Sequence, residues 1–320
     1  MRTLYILIII FSFLITISCQ NKESDQKLKN VGILLPETIN DQSWNTKGYE
    51  SLLGIQTEFG VDVFYKEEVK SLNTIRKTII EFQQQDVNLV FGHGNIYAKY
   101  FVEIQNEYPF IHFVTFNGDA EGQSFTSLHF KGRAMGFFGG MIASGMSKTN
   151  KVGIIAAFPW QPEIEGFESG VKFQNNNVQV ITSYTNDWAN EQKALSILDE
   201  FLNEGVDVVY PAGDGYSVAV IEKLKRKGLY AVGFVTDQYN LGKATVLTST
   251  VQHVDQLYIL AARQFNNNEL SYGNLYFDMQ DDVISMGKYS AEVPEQLKQS
   301  VQSAIDYYVE SGQLPNKEEL

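Results

Sequence analysis

The chain of 320 residues contains a single cysteine, Cys19, so no internal disulfide can form and no cysteine nucleophile stands inside the folded part. Histidine is scarce too. The four present, His93, His112, His129 and His253, show no metal-ligand spacing to one another. Neither a G-x-S-x-G elbow nor a Walker loop is present. Metalloenzyme, hydrolase and phosphate-loop chemistries therefore lack their residues; the chain reads as non-enzymatic, with no cofactor and no metal expected. Positive charge is the third shortage, with 25 Lys and Arg against 38 Asp and Glu and a formal net charge of −13. That balance argues against nucleic acid as a direct partner, because phosphate binding needs clustered cations to displace counterions. The densest basic run, Lys223 to Lys227, falls near the end of a predicted helix, where it complements the helix dipole.

What is there begins with an export signal. Arg2 supplies a small positive region, Leu4 to Ile17 are apolar over a length too short to span a bilayer comfortably, and Ser18-Cys19 follow. A small residue before a cysteine at the end of an apolar run is similar to a bacterial lipobox, with Thr16 in place of the usual Leu. An uncleaved signal anchor and a buried thiol are the alternatives. Residues 1–18 are read as the signal peptide and 19–30 as a lipidated, solvated tether that holds the protein on the outer face of the cell membrane.

From Val31 onward, apolar branched runs alternate with helical patterns. Strands are predicted near Val31–Leu35, Val61–Tyr65, Val87–Phe91 and Ile111–Phe116, with helices between them; after a small-residue helix near Ala134–Ser147 the alternation restarts at Val152. The second half echoes the first. Val31-Gly32-Ile33 recurs as Val152-Gly153-Ile154, and Gly48-Tyr49-Glu50-Ser51 as Gly166-Phe167-Glu168-Ser169. The expected fold is α/β: two doubly wound parallel-sheet lobes joined by several hinge crossovers, in the manner of type I periplasmic binding proteins. The first lobe is expected to take 31–118 plus about 244–278, and the second 119–243 plus about 279–320. The glycines from Gly136 to Gly145 are assigned to close packing of a crossover helix on the sheet.

In such a fold the carboxyl ends of the strands line the cleft, so the turns that leave them are where a ligand would be met. After the first strand these turn residues are Asp41, Ser43, Trp44 and Asn45. Phe91-Gly-His-Gly94 and Ala212-Gly-Asp-Gly215 are too short for phosphate loops; their glycines make tight turns, and His93 and Asp214 are candidate cleft-lining groups. Asp281-Asp282 reads as a solvated turn, since adjacent side chains on a strand point to opposite faces.

Asp41-Gln-Ser-Trp-Asn45 with Gly48, Met146-Ser-Lys-Thr149 before Val152-Gly153, Gly205-Val-Asp-Val208, Gly233 with Asp237-Gln238, and Val246-Leu-Thr-Ser249 occur in a fixed order. In this set the chain resembles the basic membrane protein family of bacterial substrate-binding lipoproteins, also called PnrA-like. The resemblance covers roughly Val31 to Gly287. It implies a binding protein that delivers a purine nucleoside or other planar small molecule to an ABC permease. Trp44 matches the aromatic that stacks on the base, with Asp41 and Asn45 beside it; Trp160 is the candidate partner from the second lobe, ahead of Phe158 and Tyr216. The alternative for Trp44 is packing on its own lobe.

The charged half of the family site does not carry over. Positions that the resemblance assigns to carboxylates hold Asn117 and Val235, with Asp119 and Asp237 two residues further on, and the position of a lysine holds Gln252. Hydrogen bonds to charged groups contribute about 1.5–3 kcal/mol each, so losing three weakens ribonucleoside binding by several decades even after discounting for coupling. In this altered pocket the chain also resembles the divergent Med-type branch, whose members are positive regulators of competence. Both readings use one fold.

Overall fold

A computed structural model describes residues 27–39 and 44–316. The expected signal peptide, Cys19, Asp41 and Ser43 lie outside the described residues. In chain order come β1 (Asn30–Leu34), α1 (Trp44–Phe59), β2 (Val63–Lys66), α2 (Leu72–Gln83), β3 (Val87–Gly92), α3 (Ile96–Ile104), β4 (His112–Phe116) and β5 (Thr126–Phe130). Next are α4 (Gly132–Met146), β6 (Lys151–Ala156), α5 (Pro162–Gln174), β7 (Gln179–Tyr184), α6 (Glu191–Asn203), β8 (Val208–Ala212), α7 (Ser217–Lys227), β9 (Tyr230–Val235) and β10 (Val246–Gln252). Last are α8 (Val254–Asn266), β11 (Gly273–Phe277), β12 (Ile284–Met286) and α9 (Glu295–Ser311). Among the described residues no helix is long and apolar enough to cross a membrane.

The strands form two six-stranded sheets, ordered β11-β5-β4-β3-β1-β2 and β12-β10-β9-β8-β6-β7. Every neighbouring pair is parallel except β10 and β12. Both faces of each sheet are covered. Val31, Ile33, Leu89 and Phe91 pack with Leu52 of α1 and Tyr258 of α8, while Leu34, Val90 and Phe113 face Ile75 of α2 and Phe101 of α3. That two-sided burial is why these strands read as near-continuous apolar runs.

The sequence echo has a packing cause. A Cβ on Gly32 would come within 2.5 Å of the Phe82 ring, and one on Gly153 within 2.5 Å of the Phe201 ring. Each glycine lets the helix that precedes the next strand lie close on the sheet. Gly136 and Gly140 of α4 meet Gly166 and Gly170 of α5 in the same spirit: a Cβ on Gly166 would stand 1.9 Å from the Arg133 carbonyl oxygen, and one on Gly140 2.2 Å from that of Phe167. The small-residue helix is thus pressed on another helix backbone as well as on the sheet. The basic run ends in the last turn of α7, where Lys225, Arg226 and Lys227 face the helix carbonyl end before Gly228 stops it at φ 67°.

Pairing departs from the expected division of lobes at two strands. β5, placed with the second lobe, pairs with β4 and β11 in the first sheet. β10, placed with the first lobe, pairs with β9 and β12 in the second. The sequence Thr-Ser-Leu-His-Phe of β5 carries no branched apolar run, so it is silent as a strand signal. Its polar side chains are satisfied internally. Thr126 donates to the Ser271 carbonyl at 2.7 Å and accepts from His112 Nε2 at 2.7 Å, while Ser127 donates to the Gly118 carbonyl at 2.6 Å.

Two outcomes are expected. Gly166→Ala should destabilise the fold by about 1–3 kcal/mol or more in urea unfolding, since it forces two helix backbones apart. Burial pushes the His112 imidazole down to about 4. Above pH 6.5 both states are neutral and no penalty applies; as pH falls from about 6.5 towards 4 only the unfolded chain takes up the proton. Stability should therefore drop by roughly 2–3 kcal/mol across that window, and His112→Asn should flatten this part of the Tm profile.

Candidate ligand-binding cleft

The chain crosses between sheets three times, at Phe130–Gly132, Gln252–Val254 and Phe277–Ile284, each time leaving the carboxyl end of a parallel strand. The crossings are bonded side by side, Lys131 N to the Phe277 carbonyl at 2.9 Å and His253 N to the Val283 carbonyl at 2.8 Å. The carboxyl edges of the two sheets consequently face one another, and the turns leaving β1, β3, β4, β6, β8 and β9 open on the space between.

On the first lobe, Trp44 opens α1 and lies half-buried. Its indole stacks on the imidazole of His93, with centroids 4.4 Å apart and planes 13° apart, and meets Phe116 edge-on at 5.9 Å. His93 is fully buried. Its Nε2 lies 2.7 Å from the Trp44 carbonyl oxygen and its Nδ1 2.8 Å from the Tyr258 hydroxyl. The carbonyl can only accept, so Nε2 carries the hydrogen. The Tyr258 phenol, raised well above its usual value by burial, keeps its proton and is hydrogen-bonded to Nδ1. The imidazole is held between Trp44 and the helix that follows the second crossing. His93 thus supports Trp44 from behind, and one indole face is already taken by the protein's own lobe. Asn45 is buried in the first turn of α1.

Asn117 and Val235 occupy equivalent places at the ends of β4 and β9, and both adopt left-handed backbone, with φ of 54° and 63°. For asparagine this is tolerable; for a β-branched residue it is strained. Val235 is held there by burial in the core. Asn117 Oδ1 accepts from Phe130 N at 3.4 Å, and Gln252 Nε2 points to the Met135 sulfur at 4.0 Å. Asp119 is exposed and lowered from its usual value by hydrogen bonds from Glu121 N and Asn274. Asp237 is also exposed; its carboxylate accepts from Tyr239 N and Lys288 N, both at 3.2 Å.

On the second lobe, Trp160 is 55% exposed and stacks on Phe158 at 5.6 Å and 12°. Trp188, from the turn after β7, braces both rings edge-on at 5.5 and 5.8 Å. Tyr216 instead is core, its hydroxyl donating to the Ile155 carbonyl at 3.2 Å. Asp214 sits half-buried in the turn between β8 and α7. Sequence reasoning passed over two residues at this edge. Trp188 carried a usable signal, its place just past a strand's carboxyl end. Glu163 carried none: it is a fully enclosed carboxylate at the start of α5, raised by desolvation and held by Gln161 Nε2 at 2.9 Å. Asp281 and Asp282 form an exposed turn, and among the described residues no His, Cys, Asp and Glu group is arranged to hold a metal.

Two largely parallel sheets joined by three crossings at their carboxyl ends, with aromatic residues in the turns on both sides, make the two-lobed α/β fold of substrate-binding proteins. The chain belongs to the Bmp family, ABC transporter substrate-binding protein PnrA-like, whose model matches residues 28–318. It is 48% identical to transcriptional activator protein med of Bacillus subtilis over 98% of this chain and 99% of that one. It is 22% identical to basic membrane protein A1 of Borrelia garinii, covering 92% and 91%. A solved structure of a transcriptional activator of the comK gene from Bacillus halodurans superposes with a TM-score of 0.84 at 49% identity, over 89% of this chain and 99% of that chain. An ABC transporter solute-binding protein from Conexibacter woesei shares the fold, with a TM-score of 0.72 at 20% identity over 91% and 100%.

The strain at Val235 gives a sign test. At an ordinary strand position Gly is less stable than Ala by about 1 kcal/mol; at φ 63° the order should reverse, with Val235→Gly more stable than Val235→Ala by about 1 kcal/mol in chemical unfolding.

Proposed function

We propose that this chain is a ligand-responsive regulator of the Med type, tethered outside the membrane through Cys19 and without catalytic activity. Its cleft takes an uncharged planar molecule between Trp44 and the Trp160 wall. One observation carries this reading: the three positions where the family resemblance expects charge, Asn117, Val235 and Gln252, are uncharged and already engaged by the fold. A site with an aromatic wall and no countercharge selects flat, neutral ligands, for which stacking contributes about 1–3 kcal/mol. The near full-length identity with the Bacillus subtilis activator supports a regulatory output. Regulation is indirect, because a chain of net charge −13 is repelled by DNA. The second reading, delivery of a nucleoside-like cargo to an ABC permease, is favoured by the family's description.

A ligand in hundredfold excess over its Kd should stabilise the protein by about 2.7 kcal/mol, and Trp44→Ala should abolish that gain. A panel of neutral bases and aromatic metabolites that produces no shift sinks the ligand reading. Deleting the gene should change expression of a regulon while leaving nucleoside uptake intact; lost uptake with unchanged expression favours the importer. Cys19→Ser should abolish incorporation of labelled palmitate.

A further inference from the structure

β12 is the last strand of the second sheet, and beside it α9 leaves a groove of about 540 Å³. Its floor is apolar and adaptable, made by Met279, Ile284, Met286 and Ile305. One wall is a single face of α9, where Gln302, Ile305, Asp306, Val309 and Glu310 recur at helical spacing. Three carboxylates, Asp282, Asp306 and Glu310, rim the groove, and no Lys, Arg or His lines it. Among the described residues none of the three is ion-paired. The Tyr289 hydroxyl is buried in the groove without a hydrogen-bond partner among the described residues. Burial pushes that phenol up to about 12, so it stays protonated.

We propose that this groove is a second ligand site, separate from the interlobe cleft, that takes an amphiphilic organic cation. The volume lies in the range of small-molecule sites. Three unneutralised carboxylates around an apolar floor match a positive head on an apolar body, and the Tyr289 side chain adds to the lining. The site also touches the hinge. Tyr308, between the wall residues Ile305 and Val309, donates to Asp278, which begins the turn carrying Met279 on the third crossing. A ligand tying α9 to β12 therefore bears on the segment that joins the lobes.

The test uses the full chain in zwitterionic nanodiscs with 13C-methyl methionine, reading the Met279 and Met286 signals. The probes are 4-phenylbutylammonium, 4-phenylbutanol and 4-phenylbutyrate, which share one apolar body and differ in charge. The ammonium should shift both signals with a midpoint at least tenfold below that of the alcohol, and the carboxylate should not bind. The exposed pair Asp306→Lys and Glu310→Lys should raise the ammonium midpoint tenfold or more while leaving the Tm and the Trp44-dependent cleft response unchanged. Equal midpoints for the three probes, silent Met279 and Met286 signals, or an undiminished response in the charge-reversed pair would overturn the proposal. So would signal shifts driven by protein concentration alone, which place a second copy in the groove.

Discussion

The candidate cleft depends on where the chain crosses between its two sheets. All three crossings leave the carboxyl ends of parallel strands and are zipped together by Lys131 N to the Phe277 carbonyl and His253 N to the Val283 carbonyl. Paired backbone groups at a crossing leave neither edge free to turn away, so the carboxyl ends of both sheets stay face to face. The third crossing is further held by the buried Asp278, which accepts from Tyr308 of α9. A hinge made of three bonded strands permits opening and closing about one axis, the motion that a two-lobed binding protein uses.

Around that edge the two lobes have kept one plan and filled it differently. In the first, Trp44 rests on His93, which is hydrogen-bonded to the Trp44 carbonyl and which Tyr258 connects to the helix after the second crossing. In the second, Trp160 rests on Phe158 and is braced by Trp188. At the matched ends of β4 and β9 the backbone is left-handed on both sides. Asn117 suits that conformation and Val235 does not. The strain at Val235 is offset by core packing.

Much of the architecture was legible in the residues. Parallel strands covered on both faces must be apolar throughout, which made eight of the strands of the repeating units readable as runs, and the glycines opposite Phe82 and Phe201 made the repeat visible. β5 and β12 were not legible, the first because its polar side chains are satisfied by distant loop carbonyls, the second because three residues are too few for a pattern. The lobe division failed at β5 and β10 for a related reason: strand membership is decided by which edge a segment pairs with, not by its own composition. Trp188 was passed over although it stands just past a strand's carboxyl end, and Glu163 escaped notice because nothing in its local pattern marks its burial.

The sequence by itself determined the alternation of strand and helix, the two-fold repeat, the family, and the uncharged character of Asn117, Val235 and Gln252. These are properties of local periodicity, motif order and residue type. Only the tertiary structure decided that Trp44 already has a partner in His93, that Val235 is strained and buried, that Asp119 and Asp237 accept from Asn274 and from Lys288 N, and that β12 and α9 leave an acid-rimmed groove beside the hinge. Each of these depends on contacts between residues far apart in the chain, which no local pattern encodes.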